Sequence, residues 1–475
     1  MQPRPTPASS SKKKASAPAP RKNVMLVSFD DAIAFWHYKR AFGVKLYTPN
    51  LDRICAQSTA FKSAYCQAPV CGPSRASFMS GLTPHQSGVF ENRVSIFDRV
   101  KPREMWPYLL RQSGYYCSSG GKVHHSFKPL PKPLHEQFYD DERKHFRIDW
   151  NLPEDKPQVA LGGHRKGLAT TDPADDDYYH DAHSTSSAIR FLEDYSGEAP
   201  FYREVGLYSP HGPYITPLRF KEHYHVNKIK QPEAWRNGFP QNDYANKIIK
   251  TDPIDAVPGY WAKSVRNYIS ALSHADYQIG RLWRALKASP HADNTVLIIV
   301  SDHGFHLGER SRFRKTSLWE QVANVPLIVH DPDTPEARVV HDPVPLLDVG
   351  ATVFDYAGLP PLKGRVGRSL RHYIKGGKDL GRAVPTFYFD NVSLRKGKYR
   401  LIRYVDGSTE FYDLENDWWQ TKDLGEDHPD FAKTMQALGE ASAEYGLDIT
   451  KARPRPMEPR SKKLAADPNA ETVYV

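Results

Sequence analysis

The chain has 475 residues, a formal net charge of +10, and 39% hydrophobic residues with 12% aromatics. That composition excludes a disordered or fibrous polymer and allows a large core with two domains or subdomains. Much of the positive excess sits in residues 1–22, which carry Lys and Arg but no acid. The folded body is therefore only mildly basic, and specific nucleic-acid binding by it is not indicated.

Four cysteines (Cys55, Cys66, Cys71, Cys117) are too few for a disulfide framework in so long a chain, and no Cys-X-X-Cys pair suggests zinc. No apolar run is long enough to span a bilayer. Lys12-Lys13-Lys14 is not followed by an apolar segment. The expectation from this sequence is a cytoplasmic protein, or a periplasmic or secreted one if an export signal is missing.

In chain order, residues 1–22 read as a disordered basic tail. Asn23–Phe29 is a nearly continuous apolar run, the pattern of a buried parallel strand, and it ends at Asp30-Asp31. A helix opens at Thr48-Pro49-Asn50-Leu51-Asp52, and Phe61–Gln67 reads as a strand. Gly72-Pro73 then breaks into a short helix, Arg75–Met79, stopped by Gly81. Pro107–Ser113 reads as helix and Tyr115–Gly121 as a strand leading to Lys122-Val123-His124-His125.

Residues 128–180 read as an irregular insertion, and His183–Tyr195 as an amphipathic helix. Phe201–Tyr208 is a strand ending in Ser209-Pro210-His211, followed by a second insertion over 212–262. Val265–Ala288 is a helix containing Asp276. Thr295–Val300 is the clearest buried strand and ends in Ser301-Asp302-His303-Gly304. Val325–His330 is a strand and Leu346–Ala357 a helix.

Beyond residue 362 the pattern alternates. Pro385–Phe389, Tyr399–Val405 and Thr409–Leu414 read as strands, with a hairpin signal at Asp406-Gly407. The expected division is a catalytic domain over 23–361, an antiparallel subdomain over 362–450 and a loose tail over 451–475.

In open α/β sheets, ligands sit beyond the carboxyl ends of strands. Asp30, Asp31 and Asp302 would meet there as three carboxylates. Such a set suits a hard divalent cation, calcium or magnesium, better than zinc, which favours more histidines. His303 adds one nitrogen to it. Arg75, Lys122, His125, His211 and Lys315 are cationic or proton-handling candidates, several of them directly after predicted strands. Cys71 precedes a helix N-terminus beside Arg75, a setting that lowers a thiol's pKa and attracts anions.

The run Cys71-Gly72-Pro73-Ser74-Arg75, followed by Ala76-Ser77-Phe78-Met79-Ser80-Gly81, resembles the signature of the type I sulfatases. The resemblance continues in order through Asp30-Asp31, Thr48–Asp52, Gly121–His125, Ser209-Pro210-His211, Asp276, Ser301–Gly304, Lys315 and Glu410–Asp417. Asp302-His303 and Lys122-Val123-His124-His125 look closest to the iduronate-2-sulfatase-like branch.

The resemblance implies an alkaline-phosphatase-like α/β fold, with a large, mostly parallel sheet flanked by helices and a small C-terminal antiparallel α+β subdomain. It implies that a maturation enzyme oxidises Cys71 to formylglycine, whose hydrate attacks a sulfate monoester. It implies Ca2+, or Mg2+, on Asp30, Asp31, Asp302, His303 and the modified Cys71. Arg75 and Lys122 would hold hydrate and sulfate, His125 would pair with the hydrate, and His211 and Lys315 would contact sulfate and leaving oxygen. Of the two adjacent histidines only one can point inward from an extended segment, and His125 is the expected one.

The implied substrate is a sulfated small molecule or oligosaccharide. A phosphate or phosphonate ester hydrolase of the same fold, or a non-catalytic binder of sulfated polyanions, stands as the alternative.

Overall fold

A computed structural model describes residues 21–125, 129–144, 146, 152, 155–254, 257–379 and 381–461. Fifteen strands are formed among them. In the first half they are β1 (Asn23–Asp30), β2 (Thr59–Tyr65), β3 (Tyr116–Gly121), β4 (Gln158–Ala160), β5 (Leu168–Thr170), β6 (Phe201–Pro210) and β7 (Thr216–Pro217). There follow β8 (Thr295–Ser301), β9 (Asn324–His330), β10 (Arg338–Val340) and β11 (Val344–Pro345). The last four are β12 (Ala383–Tyr388), β13 (Asn391–Lys396), β14 (Tyr399–Arg403) and β15 (Thr409–Asp413).

The central sheet runs β10-β2-β9-β8-β1-β6-β3, with β11 also on β2. Only β9 runs against its neighbours, so the sheet is mostly parallel, as expected. Alternation along the buried strands explains the layering. Val24 and Leu26 of β1, with Val296 and Ile298 of β8, enter one core. Met25, Val27 and Phe29, with Leu297 and Ile299, enter the other. β1 lies between β8 and β6 with both faces covered, so its carboxyl end emerges in the middle of the sheet edge.

The long helix Tyr260–Ala288 covers one face. Its Asp276 accepts from Leu51 N (2.7 Å) and from Asn50 N and Nδ2 (3.1 and 2.8 Å). Asp276 thus satisfies the orphan donors at the start of the helix Pro49–Cys55, and the Thr48–Asp52 motif is structural.

The C-terminal sheet is an antiparallel meander, β12-β13-β14-β15, covered by the helix Phe431–Glu444. The hairpin at Asp406-Gly407 forms as read. β13 was not expected, because Val392 and Leu394 give it too little alternation; β10 and β11, at three and two residues, are too short to show any. The two insertions are also more ordered than expected. A small sheet β4-β5-β7 joins them, with β5 of the first parallel to β7 of the second.

Most of the two expected tails lies outside the described residues. Their inner ends are held by the body. Arg21 donates to Ser113 O (2.8 Å) and Ala357 O (3.2 Å). Glu458 N donates to Glu91 Oε1 (2.6 Å) and Ser461 N to Arg93 O (2.9 Å).

Candidate active site

The helix Cys71–Ser80 begins at Cys71 itself and ends at Gly81, whose φ of 72° closes it with an N–H to Ser77 O at 2.7 Å. Every residue of this helix is buried. Gly72 N donates to Asn92 Oδ1 at 2.8 Å. A Cβ on Gly72 would lie 3.0 Å from Asn92 Oδ1 and 3.6 Å from the His125 ring, so the position after the cysteine must stay small.

Around Cys71 the expected residues converge. Its Sγ lies 3.4 Å from Asp30 Oδ1, 3.2 Å from His303 Nε2 and 2.9 Å from Lys315 Nζ. Lys315 also donates to Asp31 Oδ1 at 2.7 Å, and Lys122 pairs with Asp30. His303 Nε2 stands 3.4 Å from Asp31 Oδ1 and 3.7 Å from Asp302 Oδ1. His211 Nε2 stands 3.9 Å from Asp31 Oδ2. β1 and β8 deliver the acids side by side: Asp31 N and His303 N both donate to Asp302 Oδ1, at 3.2 and 2.9 Å.

Backbone strain marks the same place. Asp31, His125 and Thr316 all have φ between 58° and 69°, the left-handed region that non-glycine residues seldom occupy. Gly121, just before Lys122, has φ +86°, and a Cβ there would fall 1.9 Å from Gly206 O. Only glycine permits this approach of β3 to β6, and it sets where Lys122 enters.

The electrostatics differ from the expectation for Cys71. Burial dominates and pushes the thiol up to about 12, although Lys315 acts the other way. The helix N-terminus does not produce a thiolate, so an unmodified Cys71 is a poor nucleophile. The acids behave oppositely. Burial opposes the charge on Asp31 and Asp302, but Lys315 first for Asp31, and His303 and Arg75 for Asp302, hold both below the ordinary carboxylate range. Burial holds Lys122 well below the lysine range. It also opposes the charge on Lys315, but Asp31 and Cys71 more than offset it and raise that lysine.

Arg75 is held by the residues of the site. It is fully buried. Its Nε donates to Asp302 Oδ2 (2.9 Å), one terminal nitrogen to Lys122 O (2.8 Å) and Val123 O (3.1 Å), and the other to Phe29 O (3.0 Å). The guanidinium lies behind the cluster and ties β1, the Asp302 turn and the Lys122 loop together. These bonds make the guanidinium a clamp on the site.

The histidines divide as the backbone requires. His124 packs between Phe97 and Phe138 and bonds Tyr139 OH, while His125 lies beside Gly72 and Lys122. His211 holds Nδ1 2.7 Å from Gly212 O and 2.9 Å from Tyr208 OH. Nδ1 is therefore the protonated nitrogen, and Nε2 is left toward the cluster. Burial presses His211 down to about 3.

Sequence reading missed the supports. Asp181 accepts from Tyr208 N (2.6 Å) and Ser209 N (3.0 Å) and so fixes the strand end that carries His211. Nothing local distinguishes it from other acids at a helix start. Both insertions pin the Lys315 loop: His164 stacks near Phe313, and Asp252 accepts from Arg314 Nε (2.8 Å) and Phe313 N (2.9 Å).

Ligand atoms of Asp30, Cys71, Asp302 and His303 all lie within 4.8 Å of one another, as do those of Asp30, Asp31, Cys71 and His211. His303 Nδ1 is bound to Gly304 O at 2.9 Å, which orients Nε2 as a lone-pair donor. Three buried carboxylates and an oriented imidazole fit a divalent cation.

The sulfatase family model matches residues 22–359. The chain belongs to the sulfatase family. It is a sulfuric ester hydrolase on an alkaline-phosphatase-like fold. The sulfatase is 28% identical to a sulfatase of Formosa agariphila over 424 residues, 84% of this chain and 82% of that protein. It is also 28% identical to human iduronate 2-sulfatase over 343 residues, 65% of this chain and 60% of that one. Equal identity to both does not single out a branch. The phosphonate monoester hydrolase of Agrobacterium radiobacter shares the fold, with a TM-score of 0.71 at 20% identity, over 91% of this chain and 97% of that one.

Proposed function

We propose that the sulfatase removes sulfate from an O-sulfated sugar or oligosaccharide, with residue 71 as the centre of reaction. The observation that carries this reading is the convergence of Cys71, three acids, His303, His211 and Lys315 at one sheet edge. The names of relatives, iduronate 2-sulfatase and N-acetylglucosamine-6-O-sulfatase among them, support a sugar. The catalytic unit is read as residues 23–361 and the C-terminal subdomain as 362–450.

In its oxidised, hydrated form residue 71 would supply the attacking oxygen that the thiol does not. Asp30, Asp31, Asp302, His303 and residue 71 would hold Ca2+, with Mg2+ second, to supply positive charge at the reacting oxygens. Lys315 adds a fixed cation where a tetrahedral anion would enter, and Lys122, which burial holds below the lysine range, would offer its amine to the same anion. Lys315 keeps its proton because Asp31 faces it. His211, with Nδ1 committed to Gly212 O, would face the departing alcohol at Nε2; the negative charge of a bound sulfate would raise its pKa so that Nε2 could take up a proton and pass it to that alcohol. His125, beside residue 72, would take a proton from residue 71. Arg75 holds Asp302 and the Lys122 loop in register.

Cys71 is only 1% exposed, so a maturation enzyme must reach it before the chain folds. Mass analysis of the peptide around Cys71 checks that step, and a loss of about 18 Da is expected for CH2SH becoming CHO. A screen of sulfate release from defined sulfated oligosaccharides tests the substrate. Release from none of them, with turnover of an aryl sulfate, would overturn the sugar reading. The shared fold with a phosphonate monoester hydrolase makes that activity the second reading. A higher kcat/KM on a phosphonate monoester than on the matching aryl sulfate would favour it.

A further inference from the structure

None of the catalytic residues lines the cleft between β2 and the C-terminal sheet. This cleft has a volume of about 450 Å3 and is walled by Lys62, Asn324, Arg395, Trp418, His37 and Glu320, among others. Two polar atoms of its wall are buried without a hydrogen-bond partner among the described residues: Asn324 Oδ1 and Trp418 Nε1. Asn324 is 1% exposed, and its Nδ2 is used on Lys62 O (3.0 Å) and Glu320 Oε1 (2.9 Å). An orphaned acceptor and an orphaned donor in one cleft ask for a partner that offers both.

Acids and cations are balanced along the cleft, and two of the cations stand out. No ion pair among the described residues includes Lys62. Glu320 does not neutralise it, because its oxygens accept from Tyr65 OH (2.9 Å), Asn324 Nδ2 (2.9 Å) and Arg400 Nε (2.7 Å). Asp342 and Glu415 line the cleft as further acids, one Asp342 oxygen accepting from Asp379 N (2.6 Å), and Lys398 lines it as a further cation paired with Asp413 (2.8 Å). Arg395 brings a second cation, anchored by Nε on Tyr65 OH at 2.8 Å and by one terminal nitrogen on Gly397 O and Tyr399 O, which leaves the other terminal nitrogen for a ligand. His37 stacks on Trp418 at 4.6 Å, and burial presses it down to about 4, so it stays neutral.

We propose that this cleft is a second, non-catalytic carbohydrate site that takes an acidic sugar unit. The sugar's carboxylate or sulfate would meet Lys62 and Arg395. A hydroxyl would donate to Asn324 Oδ1, and another would accept from Trp418 Nε1. The assignment rests on the sugar reading above and extends it: the enzyme holds its polymer at a place away from the chemistry.

The test uses a heparin-derived hexasaccharide and the full chain carrying Cys71→Ala, which binds without turnover. Adding Lys62→Glu should weaken the hexasaccharide Kd about tenfold, and Trp418→Phe, which keeps the ring and removes the N–H, should weaken it about threefold. In the Cys71 background, 4-nitrophenyl sulfate turnover by either variant should stay within about twofold of wild type. Unchanged hexasaccharide affinity in both variants, or only ordered water in the cleft of a soaked crystal, overturns the site. Sulfate release from the same hexasaccharide by wild type is recorded alongside. Weakened binding without any release would keep the cleft and overturn the sugar-substrate reading; release with unchanged binding would do the reverse.

Discussion

Two sets of buried acids in the same sheet behave in opposite ways. At the ends of β1 and β8, Asp31 and Asp302 are fully buried yet held charged, because Lys315, His211, His303 and Arg75 surround them. In the middle of β6, Glu204 is just as buried, but its oxygens accept from Tyr202 OH (2.7 Å) and Tyr139 OH. Burial is the largest influence on Glu204 and lifts it to about 7. Depth alone therefore does not make a metal or catalytic site. Partners decide whether a buried carboxyl keeps its charge, and cations at a strand end keep it while hydroxyls in mid-strand do not.

The most severe way to break the charged region is at its centre. Cys71→Ala should abolish sulfate release from an aryl sulfate, a fall in kcat/KM of at least about 10^4, with the circular dichroism spectrum unchanged. Next comes the proton at the leaving oxygen. His211→Gln should lower kcat about 10^2- to 10^3-fold while leaving KM within about threefold, and the loss should be smaller for a substrate with a more acidic leaving alcohol. A loss independent of leaving group would take His211 out of that role.

Removal of a divalent cation should be visible without any turnover. Three acids that need cationic partners are stabilised by a further one, so adding Ca2+ at about 100 times its Kd should contribute about 2.7 kcal/mol and raise the melting temperature of chelated protein. An unchanged melting temperature would remove the cation from this cluster.

The smallest effect lies in the uncharged region. Glu204 has a folded pKa above its unfolded value of 4.5, so its contribution is fully present below pH 4.5 and lost as pH rises through about 7. Glu204→Gln should therefore match wild type near pH 4 and be more stable by about 3 kcal/mol near pH 8. For Asp31 and Asp302, with depressed folded values, the sign is reversed: their contribution is present above the unfolded value of 3.8 and is lost as pH falls through the lower folded values. A Glu204→Gln variant no more stable than wild type at pH 8 would erase the contrast between the two regions.

Much of this was legible in the residues. β1 and β8 are uninterrupted apolar runs, and the acids that end them are adjacent in sequence to those runs. Their meeting follows from parallel pairing. The state of the Cys71 thiol was not legible, because it depends on desolvation, and no local pattern reports how deeply the helix Cys71–Ser80 is buried. Asp181 and Asp252 act across the fold on residues 27 and more than 60 positions away. Nothing near either one in sequence announces the partner. The cleft around Lys62 was equally hidden, since β2, β9 and the C-terminal sheet contribute to it from distant segments.

Residue 71 is proposed to carry the sulfuryl transfer, and only its oxidised form to release the group. A Cys71→Ser chain offers the hydroxyl without the second oxygen needed for release. With an aryl sulfate in excess, that variant should give one equivalent of phenol per chain and no free sulfate, the sulfuryl group remaining on position 71. Free sulfate accumulating over many equivalents from that variant would contradict it.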